Sequence, residues 1–235
     1  MTRADFLPAK ALAVTAAVTA ALALAACSSR PPTPDWEMNS KSSMERFTSA
    51  YLTGNTRVET LEFTRARAEI ARTGRPDLLA RAELLRCATR VASLVVEPCA
   101  GFETLRQDAA PPERAYANFL AGKATPQDAA LLPEAQRRTV AAGANGDAAL
   151  KEIKDPLSQL VAAGALLQTS RASPAVIAQA IETASGQGWR RPLLAWLGVQ
   201  AQRAEQGGDV AEAARLRRRM ELAQGQVANG AQEKR

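Results

Sequence analysis

Residues that start and stop helices recur along this 235-residue chain, and they constrain its fold more than any other feature. Three cap-plus-proline pairs are typical of helix starts, because the cap side chain accepts a backbone N–H bond and proline suits the first turn. They are Thr125-Pro126, Asp155-Pro156 and Ser173-Pro174. Glycines stand where the helices should end, at 54, 74, 122, 143, 186 and 207–208. The one β-like run, 94–96, is very short, so the chain is predicted to be all-α.

Ser42 with Glu45, and Thr56 with Glu59, also have the spacing of a capping box. Together these signals predict helices at 42–53, 56–73, 76–95, 112–121, 126–142, 147–168 with a bend near Pro156, 174–185, 190–206 and 209–226. Residues 97–111 are predicted as a loop that contains at most one helical turn.

Two apolar clusters predict where the core lies. Helix 76–95 has a stripe wide enough to contact neighbours on more than one side, so it should be central in its half of the chain. The stripe comprises Leu78, Ala82, Leu84, Leu85, Cys87, Val91, Leu94 and Val95. The analogous C-terminal cluster comprises Ile177, Ile181, Leu193, Trp196, Leu197 and Val199.

The N-terminal segment has the three parts of an export signal. Arg3 and Lys10 make the start positive, residues 11–26 carry no charge, and small residues precede Cys27. The apolar run is shorter than the roughly 20 residues of a membrane-spanning helix. We therefore expect a cleaved signal helix, the alternative being an uncleaved anchor.

Leu24-Ala25-Ala26-Cys27 closely resembles the lipobox of bacterial lipoproteins. The resemblance covers only the signal; the alternative is an ordinary signal peptide with an incidental cysteine. It implies that the Cys27 thiol receives a diacylglycerol, that cleavage precedes Cys27 and that the new amine is acylated, for instance with palmitate. Two or more acyl chains anchor a protein stably. Ser28, where enteric lipoproteins retained in the inner membrane have Asp, favours the outer membrane, facing the periplasm.

These observations divide the chain into four parts. Residues 1–26 are the predicted signal peptide, and 27–40 a lipidated tether stiffened by the prolines of 30–35. Residues 41–226 form the predicted helical domain, with candidate halves 41–122 and 123–226. The stretch 227–235 is predicted to be a flexible tail.

Two helix–turn–helix segments, 63–86 and 196–219, look alike, since aligning Gly74 with Gly207 also aligns Ala80 with Ala213. Antiparallel hairpins of this length can stack into solenoids. The second segment resembles a tetratricopeptide unit through Leu197, Ala201, Gly208, Ala213 and Met220, but it lacks that repeat's usual aromatic residues and terminal proline. The sequence therefore predicts either a short tetratricopeptide-like solenoid or an irregular bundle.

The chain has no histidine, which excludes Ser-His-Asp and Cys-His catalysis and histidine-ligated metal sites. The segment 122–125 is not a phosphate loop, because Ala124 stands where that loop needs Ser or Thr, and Ala117 where it needs Gly. Single acids (Glu45, Glu59, Glu97 and Glu103) show no paired spacing for glycan cleavage. We therefore expect no catalytic residue, metal, nucleotide or other cofactor.

Cys87 and Cys99 remain after lipidation uses Cys27. A straight helix would hold them about 18 Å apart, whereas a disulfide needs Cα atoms about 5.5 Å apart. Because Pro98 breaks the helix, the chain can turn after Val95 and return Cys99 to the helix. In an oxidising compartment this favours a disulfide; the alternative is two unpaired buried thiols.

The net charge of +6 includes a basic run near the C-terminus, Arg215, Arg217, Arg218 and Arg219. The run reads as a solvated helix face, or alternatively as a basic patch for anionic lipid or an acidic partner. Export argues against nucleic acid as the partner.

The sequence predicts a lipid-anchored envelope protein with a non-catalytic binding or scaffold role. Its expected partners are the membrane, through the lipid on Cys27, and envelope proteins. At the level of architecture it resembles helical-repeat lipoproteins of the outer-membrane assembly machine and small helical pilotin lipoproteins. A carboxylate enzyme acting on cell wall or lipid, and a purely structural protein, are the alternatives.

Overall fold

A computed structural model describes residues 32–142 and 146–225. The predicted signal, Cys27 and the predicted tail at 227–235 lie outside the described residues. The described part contains twelve helices and no strand, which confirms the all-α prediction. The helices are α1 (Asp35–Thr53), α2 (Thr56–Ala71), α3 (Pro76–Ala92), α4 (Ala100–Glu103), α5 (Pro111–Leu120), α6 (Pro126–Ala129), α7 (Glu134–Ala141), α8 (Gly146–Glu152), α9 (Pro156–Gln168), α10 (Pro174–Gly186), α11 (Arg190–Gln206) and α12 (Val210–Gln224).

Helix α9 lies at the centre of the core. Every residue from 159 to 166 is buried, as expected for a helix that is apolar on all sides. It packs against α3, α7, α8 and α10. Its one buried polar side chain, Gln159, donates hydrogen bonds to the carbonyls of Leu150 (3.0 Å) and Ile153 (3.2 Å), where the chain leaves α8. These bonds satisfy groups that would otherwise be buried without a partner.

Helices α3 and α9 make a backbone contact at Gly164. A Cβ atom added there would lie 2.4 Å from the Val91 carbonyl oxygen, so only glycine permits this approach. The next carbonyl of α3, that of Ala92, accepts a 3.1 Å bond from the indole Nε1 of fully buried Trp196. The end of α3 is thus held by α9 and by α11.

The N-terminal hairpin also contacts α11, so the described helices form an irregular bundle rather than an open solenoid. The Arg191 guanidinium donates to Glu59 Oε2 (2.9 Å) and Thr56 Oγ1 (3.0 Å) on α2. It also lies 4.2 Å from the centre of the Tyr51 ring on α1, a distance suited to a cation–π interaction. These contacts join residues far apart in sequence.

Turn geometry corrects the alignment of the two hairpins by one residue. The left-handed residue is Gly74 (φ 65°) in the first turn and Gly208 (φ 75°), not Gly207, in the second. Ala80 and Ala213 are both buried but do not occupy equivalent positions after their turns. Val91, Ile177, Ile181, Trp196 and Leu197 of the two predicted apolar clusters are buried. Val95 was wrongly assigned to the first cluster, because α3 ends at Ala92 and the chain turns at Leu94, which leaves Val95 39% exposed.

Several predicted boundaries are wrong for identifiable reasons. Helix α1 begins at Asp35, so residues 35–40 of the predicted tether are helical, and Ser42 and Glu45 lie inside the helix instead of capping it. Asn55 caps α2 by accepting from the Val58 N–H, one residue before the predicted Thr56 cap.

Two predicted helices are each divided. Pro133 interrupts 126–142 and becomes the N-cap of α7, because a proline disfavours helical geometry in the residue before it. Asp155 caps α9, so 147–168 is broken rather than bent. The caps Thr125 and Ser173 are confirmed, and the predicted turn within 97–111 is α4.

Replacing Gly164 with alanine should lower the free energy of unfolding by about 1–3 kcal/mol, since the new methyl group forces α3 and α9 apart. Chemical denaturation followed by circular dichroism measures the change. Gly186→Ala is the matched control, because a Cβ atom at this helical glycine would meet nothing within 4 Å. It should be neutral or stabilise by up to about 1 kcal/mol. Equal effects of the two substitutions would contradict the packing argument.

Candidate functional site

A cleft beside the end of α3 has a volume of about 600 Å³, within the usual range for small-molecule sites. One wall is the end of α3 with the segment that leads to α4. The opposite wall is α5 and the turn after it, and Gln168 at the end of α9 closes one side. The cleft contains both apolar and charged side chains, so its chemistry depends on how each wall is built.

The first wall starts where α3 ends at an unusual residue. Leu94 adopts a left-handed conformation (φ 58°), which glycine normally supplies at such helix ends. The Leu94 N–H bonds the Val91 carbonyl (3.0 Å), and the Val95 N–H bonds the Arg90 carbonyl (2.9 Å). The chain therefore turns sharply, and Val95 and Val96 line the cleft while remaining 39% and 67% exposed.

A disulfide closes this wall. Cys87 and Cys99 lie at bonding distance, with Cα atoms 5.9 Å apart, as the turn before Pro98 predicted. The helix α4 that follows is held by fully buried Phe102. Gly101 lies directly against the buried Glu83 carboxylate, since an added Cβ would be 2.2 Å from Glu83 Oε2. The segment between α3 and α4 is thus fixed at both ends.

The second wall presents the apolar side chains of Ala117, Leu120 and Ala121. Its two amide side chains already have partners within the protein. Asn118 Nδ2 lies 3.3 and 3.4 Å from the Asp128 carboxylate oxygens, and Gln168 Nε2 donates to the Leu120 carbonyl (3.3 Å). The amides therefore brace the wall and leave few hydrogen bonds for a ligand.

Three cations and two anions line the cleft, which leaves a net charge of +1. Arg106 donates to Glu103 through two nitrogens, at 2.6 and 2.8 Å, and this pairing lowers the pKa of the Glu103 carboxyl. Arg90 pairs with Glu97 through Nη1, but its buried Nε has no hydrogen-bond partner among the described residues. The Lys123 ammonium has no ion pair within the described part of the chain, and its charge contributes to the lowered pKa of Glu103. Because the Arg90 Nε is enclosed by protein atoms, Lys123 is the cation of this lining that can still pair with a ligand.

Two shallower apolar grooves meet at Leu85, with volumes of about 410 and 460 Å³. Tyr116 and Leu131 line one, and Met44 and Trp189 line the other. Nothing in their geometry selects a ligand, so they are secondary to the cleft.

Arginine side chains form ion pairs with the buried acids. Glu62 lies between Arg46 (2.9 Å) and Arg65 (2.9 Å), and Glu83 pairs with Arg67. The hydrogen bond from Arg46 lowers the pKa of Glu62. All the carboxyl groups in residues 32–142 and 146–225 whose pKa clearly shifts have a lowered value: Glu62, Asp77, Glu103, Asp128 and Glu212. Such groups stay ionised at neutral pH, unlike a general acid.

The predicted basic run lies on α12 and is partly neutralised. Arg215 donates to both Glu212 carboxylate oxygens at 2.6 Å, and Arg217 pairs with Glu205 on α11. Among the described residues, no helix is long and apolar enough to cross a bilayer, and no cluster of three or more His, Cys, Asp or Glu side chains could hold a metal.

The sequence predicts the disulfide but not the charged side chains beside it. In the sequence Glu97 and Glu103 are isolated acids, and Lys123 belongs to the segment 122–125, which is not a phosphate loop. The structure brings these three residues together with Arg90 and Arg106. The turn predicted after Val95 was the available signal, since it folds this segment back toward the helix that precedes it.

No family model, curated protein or solved structure matches this chain.

Replacing both cysteines with serine should lower the free energy of unfolding by about 3 kcal/mol in the chain-entropy model for a short closed loop. Denaturation under non-reducing conditions measures the loss. Adding reductant should destabilise the wild type by a similar amount and leave the double variant unchanged. Free thiols at both positions in protein purified without reductant, detected by mass spectrometry, would contradict the pairing.

Proposed function

We propose that this chain is a lipid-anchored protein of the bacterial cell envelope with a non-catalytic binding or scaffold role. It is exported, cut before Cys27, and held by acyl chains at the outer membrane, facing the periplasm. The cleft beside the disulfide is its binding site, and the ligand or envelope partner contacts Val96 and Lys123.

Two observations support the proposed location. The tetrapeptide 24–27 has the residues of a lipobox, directly after an uncharged run and a basic start. Cys87 and Cys99 lie at disulfide distance, and disulfides persist in oxidising compartments such as the periplasm.

The cleft is the single observation that carries the binding role. It combines an apolar wall held by a disulfide with a cation, Lys123, that has no ion pair among the described residues. The enzyme alternative would need a carboxylate that gains and loses protons. Glu97 and Glu103 do line the cleft, but each pairs with an arginine, and the pKa of Glu103 is lowered. This pairing favours binding over catalysis.

Anchoring predicts that the mature wild-type protein begins at Cys27, carries acyl chains and fractionates with membranes. Cys27→Ser should abolish the acylation and the cut before residue 27, whereas Ser28→Ala, one residue away, should preserve both. Mass spectrometry of the N-terminal peptide, with membrane fractionation, measures the outcome. A wild-type N-terminus at another residue, without acyl groups, would overturn the anchoring.

The binding role predicts that a molecule co-purifies with the wild type from detergent-solubilised membranes. Val96→Asp places a charge in the cleft and should remove most of that molecule. Leu222→Asp is the matched control, since both side chains are about two-thirds exposed (67% and 68%) but only Val96 lines the cleft. Protein and lipid analysis of the eluates measures retention. Finding no component in the wild type, or equal loss in both variants, would contradict the role.

A further inference from the structure

The cleft is lined by apolar side chains and by a cation that can pair with a charged group of a ligand. Val91, Val95, Val96 and Leu120 supply the apolar surface, and Lys123 supplies the cation. We infer that the cleft binds a single-chain anionic amphiphile, an acyl or alkyl chain that carries one carboxylate or phosphate group. This inference rests on the proposed binding role and names the class of ligand.

The apolar part of the ligand follows from the exposed valines. Val96 is 67% exposed and Val95 39% exposed on a wall that the disulfide holds in place. These side chains cannot turn inward without disrupting the end of α3, because the Val95 N–H is bonded to the Arg90 carbonyl. A hydrocarbon chain along this wall would remove their apolar surface from water, which is favourable.

The anionic part follows from the positive charge of the lining. The Lys123 ammonium has no ion pair among the described residues, and, after the hydrogen bonds from Arg106, its charge contributes to the lowered pKa of Glu103. An anionic group in the cleft would pair with the Lys123 ammonium. The net charge of +1 on the lining matches a ligand with a single negative group.

The amide side chains favour an amphiphile over a peptide. A peptide backbone presents N–H and C=O groups along its whole length, and each needs a partner when buried. Asn118 already engages Asp128, and Gln168 already engages the Leu120 carbonyl. The rest of the cleft lining suits a ligand that is polar at one end only.

The test uses the full-length protein in nanodiscs of neutral phosphatidylcholine and a photoreactive fatty acid. Peptide mapping should locate the label on the segment 95–98 and near Lys123. Unlabelled dodecanoate and dodecyl phosphate should displace it. Dodecanol, which lacks the charge, should compete about tenfold more weakly, and inorganic phosphate, which lacks the chain, should not compete.

Single substitutions test the anionic part and the apolar part of the ligand separately. Lys123→Gln should weaken dodecanoate binding about tenfold, whereas Lys151→Gln, also at an exposed lysine but outside the cleft, should not change it. Val96→Asp should weaken binding similarly, and Leu222→Asp should not.

Equal competition by dodecanol and dodecanoate would overturn the anionic part of the inference. Displacement by inorganic phosphate alone would overturn the apolar part. Label spread over the surface, or a co-purified peptide that dodecanoate cannot displace, would overturn the inference as a whole. Loss of acylation at Cys27 would bear on anchoring only, because photolabelling of the cleft does not depend on it.

Discussion

The backbone contact between α3 and α9 at Gly164 is the constraint on which the rest of the structure depends. It brings the carbonyl end of α3 against the most buried helix of the bundle. The indole of Trp196 then reaches the next carbonyl, and α11 joins the same point. This junction lies within the loop that the disulfide closes, and the turn at Leu94 follows directly after it. The position of the cleft wall is therefore set by core packing and not by contacts at the surface.

Ion pairs of the N-terminal hairpin have a structural role. Arg191 connects α11 to the α1–α2 hairpin, and Arg46 and Arg67 neutralise acids buried between α1, α2 and α3. A buried carboxylate is strongly destabilising once its partner is removed, so these arginines are required for stability. Lys123, which lines the cleft and has no ion pair among the described residues, is a departure from that pattern.

The sequence predicted the helices better than their ends or the site. Proline–cap pairs act locally, and so Asp155 and Ser173 could be identified without knowing any tertiary contact. Capping by Ser42 failed because the helix continues through it, which depends on packing further along α1. The cleft could not be predicted, because it needs the turn at Leu94 to place Val95 and Val96 in the same lining as Lys123, and no sequence periodicity encodes that arrangement.

The disulfide also determines when the cleft wall gains its covalent link. Before Cys87 and Cys99 are joined, the segment from Leu94 to Pro98 is held by non-covalent contacts alone, among them the Arg90–Glu97 ion pair and buried Phe102. On the proposed export route the chain meets oxidising conditions only after it has left the cytoplasm. The wall would then be completed after translocation, and the same molecule would be unable to capture hydrophobic compounds during its synthesis. A covalent bond far along the sequence from Cys27 would thus restrict binding to the compartment in which the protein works.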